Sequence, residues 1–261
     1  MSIISSYDVI NINSAPYLVA VSKGWIAGAA SWSKIGYNAT AAADTELDMA
    51  PYLQALVVLP SAQAKVVVLS SSTADAAAGV GARTVTLYYL DNTFAEKSEV
   101  FTLDGTAAVT SSAEDIYRCQ NFRLTTVGAS GVPQGTISVK DTDETLTYIT
   151  ISLGRTRARQ CVWTVPKSKE LYINTVNLST MSGVKHATVR FTTRATYDNL
   201  AGTTGTIWIP YHEIVLQDNS FGLYLDPPTK FPTGVDLKVS AISTTSTPQL
   251  TCSLRGWTQS I

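Results

Sequence analysis

Histidine is almost missing from this 261-residue chain, which has only His186 and His212. Nucleophile–histidine–acid catalysis needs a histidine held by an acid and facing a Ser or Cys. Neither histidine stands near a GxSxG elbow, and two histidines without spaced acids or thiols fall short of a zinc-ligand set. Cysteine is equally scarce. Cys119, Cys161 and Cys252 are odd in number, far apart and without CxxC spacing. Cys161 and Cys252 read as small buried hydrophobes in a chain made in a reducing cytoplasm. Charged residues make up 15% of the chain, 19 basic against 20 acidic. Up to residue 165 there are 11 basic and 14 acidic residues, and after it 8 and 6. Neither half carries the basic excess of a sequence-independent nucleic-acid binder. No apolar run has the length of a membrane span, and the start of the chain lacks the basic and long apolar segments of a cleaved signal.

What the chain does have is alternation. Leu250-Thr-Cys-Ser-Leu-Arg255, Leu237-Lys-Val-Ser-Ala241 and Val189-Arg-Phe-Thr192 switch between apolar and polar at every step. A period of two puts one set of side chains on a core and the other in water. The same pattern predicts strands at 65–70, 83–90, 97–103, 116–126, 135–139, 146–152 and 159–164. A second set follows at 170–178, 187–193, 206–216, 220–225, 235–243 and 249–257. Turn residues separate them, among them Asp91-Asn92, Asp104-Gly105 and Asp226-Pro-Pro228. Only single helical turns are expected, at 45–51 and 74–78. The fold class is all-β, with two β-sandwich or jelly-roll-like domains over 55–165 and 166–261. Residues 1–54 lack sustained periodicity but hold Trp25, Trp32, Tyr37 and Tyr52. They read as an extended arm that orders by docking on its own body or on a neighbour.

Three clusters could carry chemistry. Asp141-Thr-Asp143-Glu144 offers three carboxylates, but lacks the spacing of a calcium loop and reads as a polar hairpin turn. Acid pairs such as Asp91 with Glu96, or Glu99 with Asp104, have no sugar platform beside them to mark a glycosidase. Arg155-Thr-Arg157-Ala-Arg159 is sharper. In an extended segment, positions i, i+2 and i+4 share a face, so the three guanidiniums project together. Such a ridge can grip phosphate or an acidic strip of a neighbour; the alternative is local pairing with the 141–144 acids. No residue set predicts a catalytic site, a metal or a cofactor. Arg155, Arg157, Arg159, Trp25 and Trp32 are the interaction candidates.

The run Ser70-Ser-Ser-Thr-Ala-Asp-Ala-Ala-Ala-Gly-Val-Gly-Ala-Arg-Thr-Val-Thr-Leu-Tyr-Tyr-Leu-Asp91 resembles a family of virion structural proteins of tailed bacteriophages. In that family a similar segment leads into a strand pair ending in an LDGT-type turn, here Ser98-Glu-Val-Phe-Thr-Leu-Asp-Gly-Thr106. Trp163-Thr-Val-Pro166 and Phe231-Pro-Thr-Gly-Val-Asp-Leu-Lys-Val-Ser240 fit as well. The resemblance implies a non-enzymatic β-sandwich component of a phage head or tail, made in the bacterial cytoplasm and carried in the virion. Its implied partners are capsid or tail proteins; a homo-oligomer is expected as well, with a trimer favoured because cyclic symmetry suits jelly-roll subunits. A fibre module that binds a host receptor or glycan through Trp208, Tyr211 or Tyr224 is the rival expectation.

Overall fold

Alternation becomes strand almost everywhere the chain carries it. The computed structural model describes residues 17–39, 43–51, 56–181, 188–196, 208–217, 220–244 and 249–261. His186 and Tyr52 lie outside them. The described chain is nearly all β, in four sheets that pack around two apolar clusters. Its one helix among the described residues is α1, Tyr17–Ser22.

Two sheets surround the first cluster. One contains β3 (Val67–Ser70), β6 (Val109–Thr110), β8 (Ile137–Lys140) and β9 (Thr147–Ile151), in the order β6-β3-β8-β9. The other places β4 (Ala82–Leu90) between β5 (Glu96–Thr102) and β7 (Arg118–Val127). Val68, Ile137, Val139 and Ile149 from the first sheet meet Val85, Leu87, Phe101 and Phe122 from the second. Burying such side chains contributes ~1.5–3 kcal/mol each, so this cluster is what holds the two sheets face to face.

The second cluster also joins two sheets. One orders β1 (Ala29–Asn38), β16 (Gln249–Ser260), β11 (Lys169–Met181) and β14 (Ser220–Phe231) as β1-β16-β11-β14. The other runs β10 (Val162–Thr164), β15 (Asp236–Ser243), β12 (Thr188–Thr196) and β13 (Trp208–Gln217), with β2 (Leu47–Asp48) also on β15. Val176, Leu178, Leu250 and Leu254 face Phe191, Leu237, Val239 and Ala241.

The expected arm is therefore part of this second body. All ten residues of β1 pair with β16, from Ala29 opposite Gln259 to Asn38 opposite Leu250. Leu47 and Met49 are fully buried in the second cluster. The predicted helical turn at 45–51 is replaced by β2, because Leu47 and Asp48 find open partners in Ala241 and Ser240 of β15. The expected turn at 74–78 is likewise non-helical, with Ala76 bridged to Asp104. The boundary also moves. β10, expected at the end of the first domain, pairs with β15 of the second body. The arrangement is thus not two jelly rolls laid end to end in sequence, since β1 and β2 precede the first body and β10–β16 follow it.

Candidate interaction surfaces

The run at 70–91 is built around one buried carboxylate. Asp75 is fully buried. Its Oδ1 accepts from the backbone N–H of Ala82 (2.7 Å) and Gln134 (2.9 Å). Its Oδ2 accepts from the Ser70 hydroxyl (2.6 Å) and the N–H of Gly135 (2.8 Å). Four donors satisfy a charge that would otherwise be costly to bury. Gly81 is required by closeness, because a Cβ there would stand 2.0 Å from Asp75 Oδ1. A Cβ at Gly79 would meet the Ala74 carbonyl oxygen at 2.1 Å. The run is a staple of the first body, with Asp75 and Ser70 buried while Ser71, Thr73 and Val80 stay exposed.

A second buried polar group ties the two bodies together. Arg118 on β7 grips Asp236 on β15 with a two-pronged pair, Nε to Oδ1 at 3.0 Å and Nη2 to Oδ2 at 3.1 Å. Its Nη1 donates to the Pro60 carbonyl at 2.8 Å. The Thr164 hydroxyl also donates to Asp236, and the Thr196 hydroxyl accepts from the Asp236 N–H. Beside them the Gln120 side chain imitates a strand, accepting from Thr164 N–H at 3.0 Å and donating to the Thr164 carbonyl. Further in, Lys238 Nζ sits 3.0 Å from Asp48 Oδ2 and 4.5 Å from the centre of the Trp208 ring. Burial holds the Asp48 carboxyl above its ordinary range, although Lys238 pulls the other way. Alternation alone placed Lys238 in water. β15 is instead covered on both faces, and Asp48 supplies the countercharge.

The arginine segment runs along the seam between the bodies. Thr156 accepts from Leu124 N–H and Ala158 donates to the Phe122 carbonyl, each at 2.8 Å, which lays 156–158 antiparallel to β7. Ala158 packs on the first cluster. At the far end, Tyr37 of β1 donates to the Arg159 carbonyl at 3.1 Å. Arg157 and Arg159, on either side of Ala158, join Arg155 in lining one open cleft of about 470 Å³ with Thr156 and Ile35. Arg155 and Arg157 are exposed and Arg159 is half-buried, its guanidinium 4.1 Å from the centre of the Tyr37 ring. Among the described residues no carboxylate pairs with any of the three. The 141–144 acids are engaged elsewhere or face solvent. Asp141 accepts from Leu146 N–H and the Thr145 hydroxyl within its own turn, while Asp143 and Glu144 are exposed. Arg159 is pushed down by burial and by Arg155 and Arg157. Lys34, whose ammonium donates to the Gln120 carbonyl just behind the cleft, is lowered to about 8 by burial, with Arg157 adding repulsion.

The two tryptophan candidates part company. Trp32 is half-buried, 5.0 Å from Trp163 between ring centres, and packs on the second cluster. Trp25 is 53% exposed, with Lys23 Nζ 5.5 Å from its ring centre. A groove of about 790 Å³ crosses the outer face of the β1-β16-β11-β14 sheet, lined by Ser33, Asn177, Ser179, Ser253, Arg255 and Phe221 among others. Beside it Tyr224 is 66% exposed. Tyr211 instead packs edge-on against Phe231 at 4.9 Å, and Trp208 is taken by Lys238. Burial lowers His212 and leaves its Nδ1 without a hydrogen-bond partner among the described residues. Cys161 and Cys252 are free and buried, and burial pushes the Cys119 thiol up to about 12. Sequence reasoning missed Arg118, Asp236, Asp48 and Lys238, because each partner is distant in the chain.

No family model matches the chain, and no curated protein matches it. Solved structures with some likeness include that of the infectious bursal disease virus Gt strain. It is 11% identical, with 94% of this chain and 77% of that chain covered, at a TM-score of 0.17. The T=1 particles derived from infectious bursal virus give 12% identity over 88% of this chain and 69% of that chain, again at 0.17.

Proposed function

We propose that this chain is a non-enzymatic structural component of a tailed-bacteriophage particle, carried on the head or tail as an oligomer. Each pair of sheets serves as a jelly-roll-like β-sandwich, and a trimer is the first symmetric arrangement to test. The observation that carries this reading is the fate of the 70–91 run. Ser70, Asp75 and Ala82 of the run that resembles the virion family serve to tie it to Gln134 and Gly135 through the buried Asp75 carboxylate. That is the role expected of a building block, whose chemistry lies in its surfaces. Free thiols fit synthesis in a reducing bacterial cytoplasm before packaging. Immunogold labelling of particles from the source, followed by a cryo-EM map, tests the proposal. Label on heads or tails is the expected result, and particles free of the protein would end it.

A second reading is favoured by the sheet groove. Hydroxyls and amides beside Phe221 and Tyr224 have the make-up of a surface that hydrogen-bonds and stacks on sugars. A host-receptor role predicts glycan-array binding that Phe221→Ala and Tyr224→Ala abolish. Trp208→Ala is the poorer probe, because it also strips Lys238 of its aromatic neighbour.

A further inference from the structure

The arginine cleft is a positively charged surface on a chain whose net charge is −1. Three guanidiniums line it, Lys34 stands behind it, and no acid among the described residues neutralises any of the three arginines. Aligned like charges raise the free energy of the isolated chain, and an external anion relieves that cost. The planar guanidinium fork matches a carboxylate in particular.

The chain also carries a matching feature. Asp143 and Glu144 are adjacent, exposed, and without an ion-pair partner among the described residues. Glu144 has a φ of 58°, so the turn is a sharp one, and Asp141 fixes it from within through Thr145 and Leu146. The acids are therefore presented on a preorganised tip. Neither acid pairs with an arginine of its own chain among the described residues, so the tip and the cleft are both left with unneutralised charge.

We infer that the cleft of Arg155, Arg157 and Arg159 receives the Asp143–Glu144 tip of a second copy of this chain. The contact joins two different patches, so it is head-to-tail and closes into a ring or continues as a row according to its rotation. It deepens the oligomeric part of the function proposed above and rests on it only there.

A charge-swap experiment tests it. One full-length variant carries Arg155→Glu with Arg157→Glu, and the other carries Asp143→Lys with Glu144→Lys. All four positions are exposed, and circular dichroism checks that each variant folds. In sedimentation velocity the wild-type chain is expected to self-associate, less so as salt rises. Each variant alone places like charges opposite one another and is expected to lose the association. Mixing the two restores opposite charges wherever unlike variants meet and is expected to restore association as alternating pairs, rows or even-numbered rings, even where the wild-type ring has an odd number of subunits. A wild-type chain that stays monomeric at every concentration, or a mixture no heavier than its parts, overturns the contact. So does binding of inorganic phosphate or a nucleic acid in the cleft without self-association. None of these results bears on particle labelling, so the virion proposal fails or stands separately.

Discussion

At the scale of single residues, the strongest demands come from charges taken out of water. Arg118 and Asp236 are both under a tenth exposed. Removing one partner of such a pair strands the other, at a cost of ~3–5 kcal/mol. Arg118→Ala is accordingly expected to lower the unfolding free energy by about that amount in urea denaturation. Replacing Arg118 and Asp236 together by apolar residues of similar size should restore most of the loss. Gly81→Ala is the steric counterpart: its methyl group would collide with Asp75 and force the four-donor hub apart. We expect a loss on the order of 4 kcal/mol or more, read as loss of urea resistance in the first body. Lys34 gives a pH signature. Its folded value is about 8, below the ~10.4 of an exposed lysine. Below pH 8 both states are protonated and the fold bears the whole cost of enclosing the charge. Between those values the folded chain has released its proton and the unfolded chain has not, so stability rises with pH. The difference between wild type and Lys34→Met, followed by denaturation across that range, should shrink as pH rises.

At the scale of elements, edge position decides what truncation does. β1 lies at the edge of its sheet, yet it covers β16 along ten residues and its chain leads directly into Leu47 and Met49 of the core. Removing residues 1–50 is therefore expected to unfold or aggregate the second body, with loss of its amide protection in hydrogen exchange. The strands were legible wherever side chains alternate in size as well as polarity. β4 was expected at 83–90 and spans Ala82–Leu90; β16 was expected from 249 and begins at Gln249. β1 was not legible, because Ala29, Ala30 and Gly36 interrupt the alternation and its large side chains fall on both faces, Trp32 on one and Ile35 and Tyr37 on the other. β2 is only two residues long and exists because β15 offers it a place. β15 was found, but its polar positions were misjudged: Lys238, Ser240 and Asp236 are buried by partners nearly two hundred, or over a hundred, positions away. Local pattern carries no information about such partners. The three arginines were legible as a set because their spacing is local, whereas the cleft they line depends on Ile35, more than a hundred residues earlier.

At the scale of the whole molecule, the first body is an insertion within the second. The chain leaves the second body after Met49 and returns at Cys161, whose N–H donates to the Met49 carbonyl at 2.9 Å. The entry and exit points thus touch. A chain in which 52–160 is replaced by a short Gly/Ser linker is expected to keep the β1–β16 pairing, since domain insertions are tolerated where the ends lie close. Asp236 would then lose Arg118 but gain water. Hydrogen exchange of the β16 amides checks this, and a chain without protection there would show that the two bodies stand or fall together.

The pairing of Ala29 with Gln259 has a consequence in time. A ribosome adding ~5–20 residues per second needs on the order of 10–40 s to pass from the end of β1 to the end of β16. Within that interval the first body's strands, which end at Ile151, are all made well before β16, so that body can finish folding on the nascent chain. β1 has nowhere to go until its partner emerges. Its hydrogen-bonding groups must stay unpaired, or be shielded by a chaperone, while the rest of the chain is made. Trp32, Ile35 and Tyr37 wait with it, so a chain stalled before β16 is expected to expose them and to aggregate more readily than the finished protein.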